Sequence, residues 1–162
     1  MLSTSPATYS ALESRDVGPN RVISPPRDQG ACLTCTAFVA VTAAEAAVAS
    51  ALGQDVDSVG RLSPQDLHYC GNDRLSCDTG ATLKDTLAQL EKRQLLLEDC
   101  LRYQPPDMRG DATQQQLCAR SCANTSPLAS QGMFSFVRIT QLWKAQQHIR
   151  KYGAVVTRFD HY

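Results

Sequence analysis

Residues 28–38 read Asp28-Gln-Gly-Ala-Cys32-Leu-Thr-Cys35-Thr-Ala-Phe38, and this stretch decides the fold class of the chain. It leads into an alanine-rich segment that carries one formal charge, Glu45, and ends before Gly53. The spacing predicts a long helix over residues 35–52. Its predicted apolar face carries Phe38, Val41, Val48 and Leu52. Cys35 then lies in the first helical turn, where free backbone N–H groups favour a nucleophilic thiolate.

A thiol nucleophile needs an oxyanion donor and a base. Gln29 precedes Cys35 by six residues, a spacing that lets the Gln29 amide and the Cys35 N–H point at one developing oxyanion. The base would be an imidazole. His68 and His148 lie on predicted helices, and we interpret them as solvated surface residues. His161, which follows Cys35 by 126 residues, is the candidate base.

The composition restricts the class of protein. The chain has 162 residues, 43% of them apolar and 20% charged, which is enough for about one domain with an ordinary core. Sixteen basic and sixteen acidic residues give no net charge, so nucleic acid and membrane surfaces are not the expected partners. Thr36, Thr42 and Ser50 favour a buried helix over a membrane span. The first ten residues lack the basic start and apolar run of a secretory signal.

Seven cysteines form at most three pairs and leave one thiol over. They lie mostly in polar, loop-like surroundings at positions 32, 35, 70, 77, 100, 118 and 122. This usage favours an oxidising compartment: extracellular, lysosomal or vacuolar. Asn124, in Asn124-Thr125-Ser126, is a candidate glycosylation site in a polar loop.

The remaining elements are predicted from caps and periodicity. Residues 1–31 form an extended, proline-punctuated strap, and residues 100–131 form a long loop that needs disulfides to stay ordered. Short helices follow the caps Ser63 and Thr82, running to about Cys70 and Arg93. The other predicted elements are strands over 95–97, 133–139 and 154–158, and a helix over 141–152 with Ile139, Leu142, Trp143 and Ile149 inward.

The stretch quoted first resembles the active-site region of the papain-like cysteine peptidases, Q-G-x-C-G-S-C-W-A-F. The matching residues are Gln29, Gly30, Cys32, Cys35, Ala37 and Phe38. Glu45 also matches, as do Leu62-Ser-Pro-Gln-Asp-Leu67 with Cys70 (L-S-x-Q-[DE]-L-x-x-C) and Cys77-Asp-Thr-Gly80 (C-x-G-G). Weaker likeness covers nearly the whole chain, and the branch looks closest to cathepsins B and X.

The resemblance implies an α+β papain-like fold, with a helical left domain over residues 1–132 and the start of a β-rich right domain over 133–162. It implies Cys35 as nucleophile, Gln29 as oxyanion donor, and a peptide substrate pairing with the backbone around Gly80. The implied disulfides join Cys32 to Cys77, Cys70 to Cys118, and Cys100 to Cys122, leaving Cys35 free.

Departures from the family pattern lie in the substrate cleft. Leu33 and Thr34 replace Gly-Ser, Thr36 replaces a tryptophan and Thr79 replaces a glycine, so added side chains stand where a peptide backbone would approach. His161 lacks the β-rich stretch that precedes the catalytic histidine in the family, and no asparagine follows Asn124 to orient it. We therefore expect this chain by itself not to hydrolyse peptides.

Two main hypotheses remain open. The chain is expected to be either the amino-terminal part of a peptidase, whose remaining residues lie on a second chain or are missing from this sequence, or a non-catalytic peptidase-like module that binds a peptide or serves a structural role. C-x-x-C at a helix start also suits a thiol–disulfide oxidoreductase, and Cys32, Cys35, Cys118 and Cys122 have spacings that zinc could use. We rank both lower and predict neither a metal site nor a cofactor.

Overall fold

Helix α1 is the centre of the structure. The computed structural model describes residues 21–71, 75–104, 116, 118, 119, 122, 128 and 133–158. In chain order its helices are α1 (Cys35–Leu52), α2 (Val56–Val59), α3 (Pro64–Tyr69), α4 (Leu83–Lys92) and α5 (Leu142–Tyr152). Each of the other four contacts α1.

The packing surface of α1 is made mainly of alanines. Its buried alanines are Ala37, Ala40, Ala44, Ala46 and Ala49. Methyl side chains let neighbouring segments approach the backbone closely, so α1 buries more than one face. Phe38 and Val41 are buried as predicted, but Leu52 is 49% exposed, and its predicted inward position is wrong.

By length and composition α1 would suffice to cross a membrane, but half of it is buried inside the protein, as in the core helix of a globular domain. The helix ends where predicted: Gly53 adopts φ 61°, and its N–H bonds back to the last turn.

Side-chain caps begin the short helices. Ser63 and Thr82 accept hydrogen bonds from the backbone N–H groups of Asp66 and Asp85, as predicted for α3 and α4. Asp55 caps α2 in the same way by accepting from the N–H of Asp57. We did not predict α2 from the sequence, although a capping aspartate before a short segment is a usable signal.

The strap prediction is confirmed over residues 21–31, which form neither helix nor strand. Val22 is buried, and the carbonyl of Arg21 accepts a 2.8 Å hydrogen bond from the N–H of Val56. A Cβ on Gly153 would lie 2.7 Å from Val22, and Gly153 has φ 89°, so only glycine fits this crossing of the strap with the end of α5.

The predicted strands are wrong for the described residues. Over 95–97 there is a single antiparallel bridge between Leu62 and Leu97, and residues 133–139 and 154–158 form no strand. A strand needs a hydrogen-bonded neighbour, and the described part of the chain places none beside residues 133–139 and 154–158. The domain division after residue 132 stays a prediction.

Helix α5 occupies the predicted position, but its orientation was not predicted correctly. Leu142 and Trp143 are 75% and 54% exposed, whereas Ile139 and Ile149 are half-buried. No residue of α5 is fully buried. The helix contacts α1, but Leu142 and Trp143 in its first turn lie mostly outside the packed surface.

Candidate active site

Cys35 is the first residue of α1, and it is an exposed, free thiol. The N-cap residue Thr34 makes no side-chain hydrogen bond to the helix, and the first turn carries no acidic residue. Helices α2, α3 and α4, in contrast, have such caps. The start of α1 thus retains backbone N–H groups that can stabilise a thiolate or an oxyanion next to the sulfur.

Tyr103 ties the segment containing Gln29 to the start of α1. Its hydroxyl donates a 2.7 Å hydrogen bond to the Gln29 carbonyl and lies 3.0 Å from Thr34 Oγ1. Its ring contacts Phe38 edge-on, with the ring centroids 4.8 Å apart. We did not predict a role for Tyr103, which lies 69 residues from Thr34 in the sequence. No local pattern reports a contact across that separation.

The Gln29 side chain is held beside the nucleophile segment. Its Nε2 donates a 2.8 Å hydrogen bond to the carbonyl of Cys32. The turn that brings it there contains Gly30 at φ 62°, whose N–H donates to Asp28 Oδ1 at 2.8 Å. A primary amide nitrogen carries two hydrogens, so the bond to Cys32 leaves one for a substrate oxygen.

The Cys32–Cys77 disulfide joins the nucleophile segment to the loop that contains Thr79 and Gly80. The Leu33 N–H also donates a 2.8 Å hydrogen bond to the carbonyl of Cys77. A Cβ on Gly80 would lie 3.8 Å from Leu33 Cβ, so Gly80 and Leu33 are neighbours. The predicted substrate-binding residues Leu33, Thr79 and Gly80 therefore lie together at the exposed surface.

Two of the four departures from the family pattern, Leu33 and Thr79, are exposed at this surface. Thr36 is half-buried and Thr34 is buried against Tyr103, so the expectation that the Thr34 side chain stands in the path of a peptide is wrong. Leu33 is 52% exposed, and Thr79 is exposed with its hydroxyl 2.7 Å from Ser76 Oγ. A peptide backbone approaching Gly80 would meet both side chains.

The other two disulfides are Cys70–Cys118 and Cys100–Cys122. With Cys32–Cys77 these are the pairs that the resemblance implies, and they are consistent with an oxidising compartment. They also contradict two lower-ranked hypotheses. Cys32 is bonded to Cys77 and not to Cys35, so no C-x-x-C redox pair forms. Three of the four cysteines considered for zinc are in disulfides and are not thiolate ligands.

His68 is not a surface residue, and that prediction is wrong. It is buried in α3, and its Nε2 lies 3.0 Å from the carbonyl oxygen of Ser76. All six residues of α3 are buried, because the helix lies between other elements. The spacing of apolar residues in the sequence therefore could not show that the polar residue His68 is buried as well. His148 is half-buried, with its ring against Tyr152. The candidate base His161 and the glycosylation candidate Asn124 lie outside the described residues.

Glu45, Arg27 and Glu98 form a largely buried ionic cluster that holds the strap in place. Glu45, at 0% exposure, accepts a 2.9 Å hydrogen bond from the Leu62 N–H and pairs with Arg27 at 3.2 Å. Arg27 also pairs with Glu98 at 2.9 Å. Burial raises the pKa of the Glu45 carboxyl above its usual range, and Arg27 opposes that rise. The cluster fixes the strap, which leads into Gln29, against α1 and the segment before α3.

Comparison with known proteins identifies a family for this chain. No curated protein matches the sequence. The family model described as papain family cysteine protease matches residues 10–162, which is nearly the whole chain. The described helices are consistent with the helical left domain of that α+β fold. A free Cys35 at the start of the central helix and a family match of this extent agree: the chain belongs to the papain family of cysteine proteases.

Proposed function

We propose that Cys35 is the thiol nucleophile of a peptide-binding cleft, with Gln29 as its oxyanion donor. The observation that carries this proposal is the single free thiol, Cys35, at the start of a helix that has no side-chain cap. The Gln29 amide is hydrogen-bonded to the carbonyl of Cys32, three residues before Cys35. In the reaction, the thiolate electron pair forms a bond to the peptide carbonyl carbon. The carbonyl π electrons move to oxygen, where the Gln29 amide and the Cys35 N–H stabilise them.

The rest of the cycle requires a base. An imidazole takes the thiol proton and returns it to the departing amine, which leaves a thioester that water hydrolyses. His161 is the candidate for that imidazole in this chain. Because it lacks the family's sequence context and an orienting asparagine, we propose that the chain alone binds peptides without turnover. The expected setting is extracellular, lysosomal or vacuolar, and the suggested branch is that of cathepsins B and X.

The second candidate function is a non-catalytic peptide-binding or structural module. The exposed side chains of Leu33 and Thr79 favour it, because they narrow the approach to Gly80. Hydrolysis of a quenched fluorescent peptide by the full chain tests the lack of turnover that both functions share, and the reactivity of Cys35 separates them. We expect no turnover. Turnover lost in both Cys35→Ser and His161→Ala would establish a peptidase with His161 as base, and turnover that survives Cys35→Ser would be contamination.

The nucleophile proposal has its own test, independent of turnover. Iodoacetamide at neutral pH should label Cys35 alone, because the thiol is exposed and the other six cysteines are in disulfides. Peptide mapping of the unreduced protein measures this. Unlabelled Cys35, or equal labelling of Cys32, would contradict the proposal.

We also propose a second polypeptide that supplies the β-rich right domain and covers the first turn of α5. Leu142 and Trp143 are exposed there, and Val137 is exposed in the segment before the helix. Residues 133–158 carry five basic and no acidic side chains, so the expected partner surface is apolar with an acidic rim. Native mass spectrometry of unreduced material should find a component beyond 17.7 kDa. Leu142→Asp should release the second component, whereas Leu52→Asp should retain it. A single component in the wild-type material would contradict the proposal.

A further inference from the structure

The segment that contains Tyr103 is fixed on both sides of that residue. Leu101 is buried, and its carbonyl accepts a 2.6 Å hydrogen bond from the Ser63 hydroxyl. The N–H of Gln104 donates a 3.1 Å hydrogen bond to the side-chain oxygen of Gln65, which is fully buried in α3. These bonds hold the backbone before and after Tyr103, so the half-buried Tyr103 ring contacts the start of α1 from a fixed support.

The Tyr103 hydroxyl belongs to a chain of two hydrogen bonds whose direction is determined by its chemistry. A hydroxyl carries one hydrogen and a carbonyl oxygen can only accept, so Tyr103 donates its hydrogen to Gln29 at 2.7 Å. The hydrogen in the 3.0 Å contact with Thr34 therefore comes from the Thr34 hydroxyl. Each bond in such a chain polarises the next, so Thr34 strengthens the bond from Tyr103 to Gln29.

The same contact distinguishes Thr34 from Thr82, the other threonine at a helix N-cap. Thr82 has an extended backbone, with φ −74° and ψ 148°, and its hydroxyl accepts a hydrogen bond from the first turn of α4. Thr34 has φ −105° and ψ 8°, and its side chain makes no hydrogen bond to α1. Its hydroxyl is directed to Tyr103 instead, so Tyr103 engages the N-cap side chain of α1 and the Gln29 carbonyl at the same time.

We infer that Tyr103 is a positioning residue of the cleft and that it acts through Gln29. The two oxyanion donors, the Gln29 amide and the Cys35 N–H, belong to separate segments, and the Tyr103 hydroxyl ties one segment to the other. The Gln29 carbonyl begins the turn through Gly30, so the bond from Tyr103 fixes the peptide group from which the Gln29 side chain extends. The inference rests on the proposed function for the roles of Cys35 and Gln29.

The test uses N-acetylglycinal, a peptide-like aldehyde that has no side chain. The Cys35 thiolate electron pair forms a bond to the aldehyde carbon, and the carbonyl π electrons move to the oxygen, which the two donors stabilise and which then exchanges a proton with water. Alkylation by iodoacetamide displaces iodide from a saturated carbon and forms no oxyanion. The dissociation constant of the aldehyde is the concentration that halves the rate at which iodoacetamide labels Cys35 in the full chain.

Tyr103→Phe should weaken aldehyde binding about tenfold, the scale expected for a hydrogen bond to a charged group. The phenyl ring keeps the contact with Phe38, and the thiol stays at the helix start, so the alkylation rate should change by less than about twofold. Tyr152→Phe removes the same hydroxyl from an exposed ring at the end of α5 and should change neither quantity. Unchanged aldehyde binding in Tyr103→Phe would overturn the inference.

A double-mutant cycle shows whether Tyr103 acts through Gln29. Gln29→Ala should weaken aldehyde binding at least as much as Tyr103→Phe, and the double variant should bind no more weakly than Gln29→Ala. Losses that multiply in the double variant would overturn the inference and leave the proposed function standing. Unchanged binding in Gln29→Ala would contradict the proposed oxyanion donor, and with it the route assigned to Tyr103.

Hydrogen exchange tests the tether without the thiol chemistry. Tyr103→Phe should speed amide exchange in residues 29–34 and leave exchange in α4 unchanged. Unchanged exchange in residues 29–34, or equal acceleration in α4, would overturn the inference, because the hydroxyl would then have no local role. If the wild-type chain binds no aldehyde, the proposed function fails, and faster exchange confined to residues 29–34 still supports the tether.

Discussion

Replacing Arg27 by methionine should remove the cation that makes the buried Glu45 carboxylate tolerable. The Arg27 side chain is 12% exposed, and its guanidinium lies 3.2 Å from Glu45 and 2.9 Å from Glu98. It also lies 5.8 Å from the centroid of the Phe38 ring. Methionine keeps much of the apolar stem of arginine, so the substitution tests the charge more than the packing.

The expected loss is large at neutral pH. Removing one partner of a buried ion pair costs about 3–5 kcal/mol, because the remaining charge stays buried without compensation. For a chain of this size, each kcal/mol lowers the melting temperature by roughly 2–4 °C, so Arg27→Met should melt about 10 °C below the wild type at pH 7.5. The loss should shrink at pH 5, because without Arg27 the pKa of Glu45 rises further and the neutral carboxyl needs no cation.

The assay is urea unfolding with the disulfides intact, followed by near-ultraviolet circular dichroism at pH 7.5 and pH 5. Arg21→Met is the matched control, because Arg21 pairs with Asp57 in a more exposed site and should cost at most about 1 kcal/mol. A loss below about 1 kcal/mol for Arg27→Met, or an equal loss at both pH values, would refute the reasoning.

Three further predictions concern stability. The raised pKa of Glu45 adds stability that is fully present below its unfolded value of about 4.3 and is lost as the pH rises through the folded value. The loss in free energy of unfolding caused by Glu45→Gln, relative to the wild type, should therefore be smaller at pH 7.5 than at pH 4.5. Unfolding curves that show the opposite order would contradict this. Thr82→Ala should cost about 1 kcal/mol by removing the α4 cap, whereas Thr82→Ser should cost little in the same thermal melts. Replacing Cys32 and Cys77 by alanine, across a separation of 45 residues, should cost about 4 kcal/mol in chemical denaturation, and an unchanged midpoint would count against that.

Local patterns in the sequence predicted the helices well, because a cap, an apolar period and a terminal glycine act within a few residues. The bounds of α1, the caps Ser63 and Thr82, and the position of α5 follow from such patterns. The position of Cys35 in the first turn of α1 already marked it as the candidate nucleophile, and the resemblance added the cysteine pairing. It did so through motifs, since the spacing of seven cysteines alone leaves the pairing open.

Contacts between distant segments were not predictable in this way. His68 is buried together with every other residue of α3, and Leu142 and Trp143 are exposed although α5 contacts α1. Neither fact leaves a signature in the spacing of apolar residues. Tyr103 likewise reaches the Gln29 carbonyl across 74 residues.

The sequence by itself determined where the thiol lies on its helix, because both are properties of one continuous segment. Only the tertiary structure decided what lies near that thiol: the strap held by Arg27 and Glu45, the Tyr103 hydroxyl bound to the Gln29 carbonyl, and the loop that brings Gly80 to Leu33. Each of these depends on segments far apart in the chain that are brought together by packing against α1. Their geometry is set by the free energy of the whole core and not by any short stretch of sequence.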